Sequence, residues 1–234
     1  MKYPGGKNGG GAYQKIICQI PPHDVYIEPF LGSGAVMRMK RPARVNIGID
    51  KDSGAVDAFN CESSLPGAVV KVGCGIQFLR RYHLRAAWTG NEVIYCDPPY
   101  LIETRRRSSA IYLHEMTRND HIDLLQTLLD ISSLHMQGVN ILISGYDSDL
   151  YQSAIGHWRK ICWQAITRGG SKATEYLWMN YPEPVALHDY SHLEDNRTDR
   201  QRIKRKISRW ENKLANMPVL ERQALLAAIQ KAWS

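Results

Sequence analysis

The sequence predicts an α/β protein: a mostly parallel sheet covered on both faces and closed by an antiparallel hairpin, with a helical hairpin appended on the C-terminal side. Three observations predict it. Between residues 25 and 155, short apolar runs alternate with amphipathic stretches. The strand candidates end on acids, glycines or prolines, the residues of turns and ligand loops. After Pro182 and Pro184 the pattern changes to charged residues with helical periodicity.

Each element follows in order. Residues 12–20 have the apolar spacing of a short helix that Pro21 and Pro22 stop. Val25-Tyr26-Ile27 is a strand running into Glu28-Pro29-Phe30, and Leu31 to Ala35 is a tight turn opening a helix through Val36 and Met39. Arg44 to Ile49 gives a second strand ending at Asp50. Asp52 or Ser53 caps the next helix, which carries Val56 and Phe59. Ala68 to Val72 is a third strand, followed by Gly73-Cys74-Gly75 and a helix with Phe78, Leu79, Tyr82 and Leu84. Val93 to Cys96 is the fourth, and a polar basic loop spans 101–116. Thr117 and Asp120 form a capping box before a helix whose apolar face is expected to hold Ile122, Leu125, Leu128 and Leu129. Val139 to Ile143 is the fifth strand, a helix follows around 150–155, and Ile161 to Thr167 and Glu175 to Asn180 flank a turn at Gly169 to Lys172. In the tail, Ile203, Ile207, Trp210, Leu214 and Met217 form one apolar stripe. Pro218 breaks that helix, and Ala224, Leu225, Ala228 and Ile229 mark another. The expected division is 1–184 for the body and 185–234 for the basic appendage.

Composition narrows the function. Hydrophobic content of 44% and charged content of 23% are those of a soluble globular protein. A formal charge of +7 points to an anionic partner, nucleic acid being the commonest. Between residues 191 and 213, eight basic and four acidic residues leave +4. The five cysteines (18, 61, 74, 96 and 162) contain no CxxC pair and read as buried free thiols in a reducing compartment. No histidine spacing suggests a zinc site, and no apolar run has transmembrane length, so a cytoplasmic protein without a membrane partner is expected.

The chemistry concentrates where parallel strands end, the edge at which open sheets bind ligands. Asp97-Pro98-Pro99-Tyr100 follows the apolar run Val93 to Cys96. A carboxylate and a proline carbonyl accept hydrogens from an exocyclic amine, the second proline stiffens the turn, and the tyrosine offers a ring for stacking. Upstream, Gly32 and Gly34 let backbone approach a ligand, and Asp50, 18 residues beyond Gly32, is placed to hold ribose hydroxyls. The turn is neither GxGxxG nor GK[ST], and Glu28 and Asp50 would repel phosphates. A positively charged sulfonium nucleoside such as S-adenosylmethionine suits it better. The glycine-rich stretch at residues 1–11 is either a tail or a loop against a charged ligand, with Lys7 as its cation.

These motifs resemble those of the Dam-like DNA N6-adenine methyltransferases, the alpha class of amino-methyltransferases. Tyr3-Pro4-Gly5-Gly6-Lys7 resembles the N-terminal cofactor loop, Glu28-Pro29-Phe30-Leu31-Gly32-Ser33-Gly34 the main cofactor motif, and Asp97-Pro98-Pro99-Tyr100 the catalytic motif. Ile143 to Ser148 and Thr174 to Asn180 also look familial. The resemblance runs from residue 3 to about 181. It implies a Rossmann-like S-adenosylmethionine-dependent methyltransferase sheet that methylates N6 of adenine in double-stranded DNA. It also implies cofactor contacts from Tyr3, Lys7, Phe30 and Asp50, with Lys7 facing the methionine carboxylate. Cys74 stands where many relatives place an acid near the cofactor adenine. Asp97 and Pro98 would accept the hydrogens of the target amine, and Pro99 and Tyr100 would seat the base. Arg105, Arg106 and Arg107, with Arg202, Arg205, Lys206 and Arg209, are the candidates for DNA phosphates.

One departure bears on specificity. Only 46 residues separate Asp50 from Asp97, and a helix, a strand and a helix use them, so no target-recognition insert of the longer relatives fits. Target reading is left to the 101–116 loop, the basic hairpin, a second copy of the chain or another partner. The alternatives are methylation of cytosine N4 or RNA adenine, and a nonenzymatic DNA-binding protein on a methyltransferase-like body. A mobile element and a restriction system are both settings open to such a chain.

Overall fold

A computed structural model describes residues 7, 11–63, 65–83, 90–105, 111–134, 138–166, 172–194 and 197–233. Tyr3, Leu84, Arg106, Arg107 and the turn at 169–171 lie outside them. The strands are β1 Val25–Glu28, β2 Val45–Asp50, β3 Ala68–Val72, β4 Glu92–Cys96, β5 Val139–Gly145, β6 Arg159–Ile166 and β7 Lys172–Met179. The helices are α1 Ala12–Ile17, α2 Ala35–Met39, α3 Ser53–Glu62, α4 Gly75–His83, α5 Arg118–Leu134, α6 Asp149–Ile155, α7 Arg197–Ala215 and α8 Val219–Trp233.

All seven strands join one sheet in the order β3-β2-β1-β4-β5-β7-β6. Pairings from β3 through β5 are parallel, and β7 lies antiparallel between β5 and β6. The hairpin therefore closes the sheet with its second strand inside and its first at the edge. Period-two alternation supplies two cores. Ile27, Ile94, Cys96, Ile141, Ile143 and Trp178 face one way, with residues of α4, α5 and α6. Tyr26, Val93, Tyr95, Leu142 and Leu177 face the other, with residues of α1, α2 and α3. Both faces are covered, which lets the central strands carry apolar residues on both faces.

The local signals hold at most element ends. Asp52 caps α3, its side chain accepting from the Gly54 N–H at 2.9 Å. Asp120 accepts from the Thr117 N–H and hydroxyl, the reciprocal capping expected. Two expectations need correction. The buried face of α5 is His121, Leu124, Leu125, Leu128 and Ile131, while Ile122 is 44% exposed. Ile122 lies one residue, about 100°, round the helix from that stripe. All five cysteines are unpaired, but Cys61 and Cys162 are exposed and only Cys96 is fully buried.

Compactness separates Met1–Tyr190 from Ser191–Ser234. The division falls after residue 184 because the next segment is tied to the body. The His188 N–H donates to Ile20 O at 2.9 Å, and Asp189 accepts from the Arg41 N–H at 2.8 Å. In the second unit, Pro218 separates α7 from α8. Ile207 and Trp210 of the apolar stripe remain about half exposed, and Lys213 sits over the Trp210 ring.

Candidate active site

Parallel strands carry three acids to one edge of the sheet: Glu28 ends β1, Asp50 ends β2, and Asp97 follows β4. A cleft of about 810 Å³, counted with the open space at its mouth, lies there. Glu28, Phe30, Gly32, Asp50, Cys74 and Asp97 all line it, together with Lys7 and Pro99.

The turn after β1 is strapped to β2. The Leu31 N–H donates to Ile49 O at 3.0 Å, and the Gly32 N–H to Asp50 Oδ2 at 2.6 Å. The Asp52 N–H holds the other oxygen, Oδ1, at 2.8 Å. Asp50 is thus fixed by two backbone donors, and each oxygen keeps a lone pair for a ligand. Burial raises its carboxyl above the usual range, and these same two donors oppose that rise. Gly32 adopts φ 51° to make the turn. Gly34 is absent from the cleft lining; a Cβ there would lie 2.5 Å from the Phe59 ring, so this glycine serves the packing of α3. Gly75 is a glycine that spacing did not single out. A Cβ on it would stand 2.0 Å from Pro29 O, so the turn carrying Cys74 reaches the cleft only because residue 75 has no side chain.

The Asp97 side chain is 17% exposed and meets a buried cation. Lys7 Nζ lies 2.9 Å from Asp97 Oδ1, donates to the Tyr100 hydroxyl at 2.5 Å, and donates to Glu175 Oε1. Tyr100 in turn donates its hydroxyl hydrogen to Glu175 Oε1. The ammonium expected to face a cofactor carboxylate is thus spent on three groups at the catalytic end. Burial pushes the Asp97 carboxyl up to about 6; Lys7 opposes this and Glu175 adds to it. Burial would lower Lys7, but Asp97 and Glu175 outweigh it and hold the ammonium above its ordinary range. Glu28 is pushed up to about 8 by burial and by Asp97, against the Tyr26 hydroxyl and Lys40. Cys96 lies in the core with its thiol raised by burial, as a packing residue would be.

The 101–116 segment differs from expectation. Arg105 was expected on DNA, but its side chain is 6% exposed and forks onto Glu115 at 2.9 and 2.7 Å. It also donates to Tyr100 O. Glu115 accepts from the Ile111 and Tyr112 N–H groups at 2.7 and 3.0 Å. Burial alone would raise Glu115, yet these donors and Arg105 hold it down to about 2. The staple fixes a stretch from which Tyr112, His114 and Met116 line the cleft. Arg105 and Glu115 stand ten residues apart with no local pattern to pair them. Glu175 left a fainter sign, as an acid in the otherwise apolar end of a strand.

Of the phosphate candidates in the second unit, Arg202 reaches Asp199 at 3.3 Å and Glu194 at 4.0 Å. Arg205, Lys206 and Arg209 are exposed on α7 without an ion pair among the described residues.

The family model described as D12 class N6 adenine-specific DNA methyltransferase matches residues 80–166, which include Asp97 to Tyr100. A comparison with curated proteins finds no match. Among solved structures, the chain is similar to precorrin 8W decarboxylase of Methanobacterium thermoautotrophicum, at 11% identity, TM-score 0.48, and 77% and 94% coverage of this chain and that one. It is similar to TrmK of M. capricolum, solved with S-adenosyl-homocysteine, at 11% identity, TM-score 0.43, and 95% and 96% coverage. A putative RNA methyltransferase of Pyrococcus horikoshii gives 12% identity, TM-score 0.47, and 76% and 86% coverage.

Proposed function

We propose that this chain, whose residues 80–166 match the family model described as D12 class N6 adenine-specific DNA methyltransferase, transfers a methyl group from S-adenosylmethionine to the N6 amine of adenine in double-stranded DNA. The observation that carries the reading is the catalytic turn, of which Asp97 and Pro99 line the cleft. Asp97 shares this cleft with Asp50, Glu28 and Gly32.

The donor set fits the cofactor. Asp50 suits ribose hydroxyls, and the ionised Asp50 and Asp97 would repel a phosphate. Lys7, Phe30, Gly32 and Cys74 complete the walls. When bound, S-adenosylmethionine supplies an electrophilic methyl group.

The protein's part is to seat and polarise an amine whose lone pair is delocalised into the purine ring. Asp97 and the Pro98 carbonyl accept the two amine hydrogens, which favours a more tetrahedral nitrogen and stabilises positive charge developing there. Pro99 stiffens the turn, and Tyr100 stacks on the extruded base. No covalent enzyme intermediate is needed. Arg205, Lys206 and Arg209, with Arg202 and the Arg106-Arg107 pair, grip phosphates and offset the cost of extrusion, a few kcal/mol. Arg105 acts from within, holding the loop.

Cofactor binding and single-turnover chemistry measured side by side test the assignment. Asp97→Ala is expected to bind S-adenosylmethionine within about threefold of wild type while losing about 10²- to 10³-fold in rate. Near-wild-type turnover of Asp97→Ala would contradict it.

A further inference from the structure

Glu175 has no part in the reaction as described, yet it is the group on which the catalytic end converges. It is 4% exposed, on β7, which runs antiparallel to both β5 and β6. The register pairs Gly145 with Tyr176, so reversal of β7 brings the start of that strand to the edge where β4 and β5 end. One carboxylate oxygen, Oε1, accepts both the Tyr100 hydroxyl and the Lys7 ammonium. Tyr100 is held on another side by Tyr146, edge-on at 4.7 Å between ring centroids.

We infer that Glu175 is a positioning residue for the target base: it fixes the Tyr100 ring and gives the Lys7 ammonium a partner to keep when the base amine claims Asp97. The inference rests on the reading of Asp97 to Tyr100 as the base seat. Hydrogen-bond supply gives such a residue a task. Lys7 Nζ lies 2.9 Å from Asp97 Oδ1, so an amine that takes this oxygen competes with the ammonium. An ammonium losing that bond in a buried site would be costly unless other acceptors remained. Glu175 and the Tyr100 hydroxyl are those acceptors, already in place. The exchange moves no charge out of the site. A tyrosine tied at its hydroxyl also has less ring freedom to lose when a base stacks on it.

Steady-state kinetics of the full chain on unmethylated double-stranded DNA, from about pH 5 to 9, test this with Glu175→Gln, Tyr100→Phe and the double variant. Glu175→Gln is expected to bind S-adenosylmethionine within about threefold of wild type and to lose about tenfold or more in kcat/KM for DNA. Its acid limb should move to lower pH, because Asp97 loses a neighbouring negative charge. A role confined to packing would leave that limb in place. The double variant should cost less than the product of the two single losses, since both cut one link. Should Glu175→Gln not fold, Tyr100→Phe decides, with the same loss in kcat/KM for DNA and retained cofactor affinity expected. Wild-type kcat/KM and an unmoved acid limb in Glu175→Gln, or wild-type kcat/KM in Tyr100→Phe, would overturn the inference while Asp97→Ala stayed inactive. An active Asp97→Ala would instead overturn the underlying reading of the seat.

Discussion

Asp97 and Glu28 make the charge of the site depend on pH in ways that can be separated. Asp97 must be ionised to accept amine hydrogens, and its carboxyl is raised to about 6, first by burial. The rate at saturating cofactor should therefore fall about tenfold per pH unit below that value. A rate level down to about pH 4 would contradict the role given to it. Glu28 acts on stability. Its folded value, about 8, lies above the ordinary 4.5, so the folded protein holds a proton at pH 7 that the unfolded chain has released. That contribution is complete below about pH 4.5 and is lost as pH rises through about 8. The Tm of wild type relative to Glu28→Gln, measured by calorimetry without cofactor, should decline between about pH 5 and 8.5. A difference that stays constant would contradict the assignment. Asp50, Asp97 and Gly32 were legible because each sits at the end of a strand that its own neighbours specify. Glu175 and Glu115 were not, since their partners stand 75 and ten residues away in sequence and meet only through the fold.

At the scale of elements, the glycine turn, the catalytic turn and the hairpin each convert sheet geometry into placement. Strand spans were readable from short apolar runs bounded by turn residues, and Ala68–Val72 was found to the residue. The antiparallel hairpin was readable too, but not that its second strand inserts beside β5, because order within a sheet depends on pairing that no local pattern encodes. The 101–116 loop was the larger surprise. Its charge suggested a surface for DNA, whereas Arg105 is buried against Glu115 and the segment lines the cleft. Glu115→Gln should loosen that segment and raise the Kd for S-adenosylmethionine about tenfold, equivalent to about 1.4 kcal/mol. Equilibrium binding at pH 7 checks this; an unchanged Kd would mean the staple holds nothing the cofactor needs.

At the scale of the whole molecule, the formal charge of +7 is concentrated in part on α7, where Arg205, Lys206 and Arg209 stand exposed. If they and Arg202 grip phosphates, reversing all four to Glu should weaken DNA binding and flatten its salt dependence, by about 0.9 in log–log slope for each phosphate no longer neutralised. Cofactor affinity should not change. An unaltered slope would remove the hairpin from the DNA surface. The interval between Asp50 and Asp97 holds α3, β3, α4 and β4, with residues 64 and 84–89 outside the described ones. Every role given to the cleft depends on which atom receives the methyl group. The direct test is transfer from methyl-labelled S-adenosylmethionine to double-stranded DNA free of N6-methyladenine, followed by digestion and identification of the labelled nucleoside. N6-methyl-2′-deoxyadenosine is expected with wild type and none with Asp97→Ala. Label on cytosine, or unlabelled DNA from a protein that binds the cofactor, would contradict the proposed function.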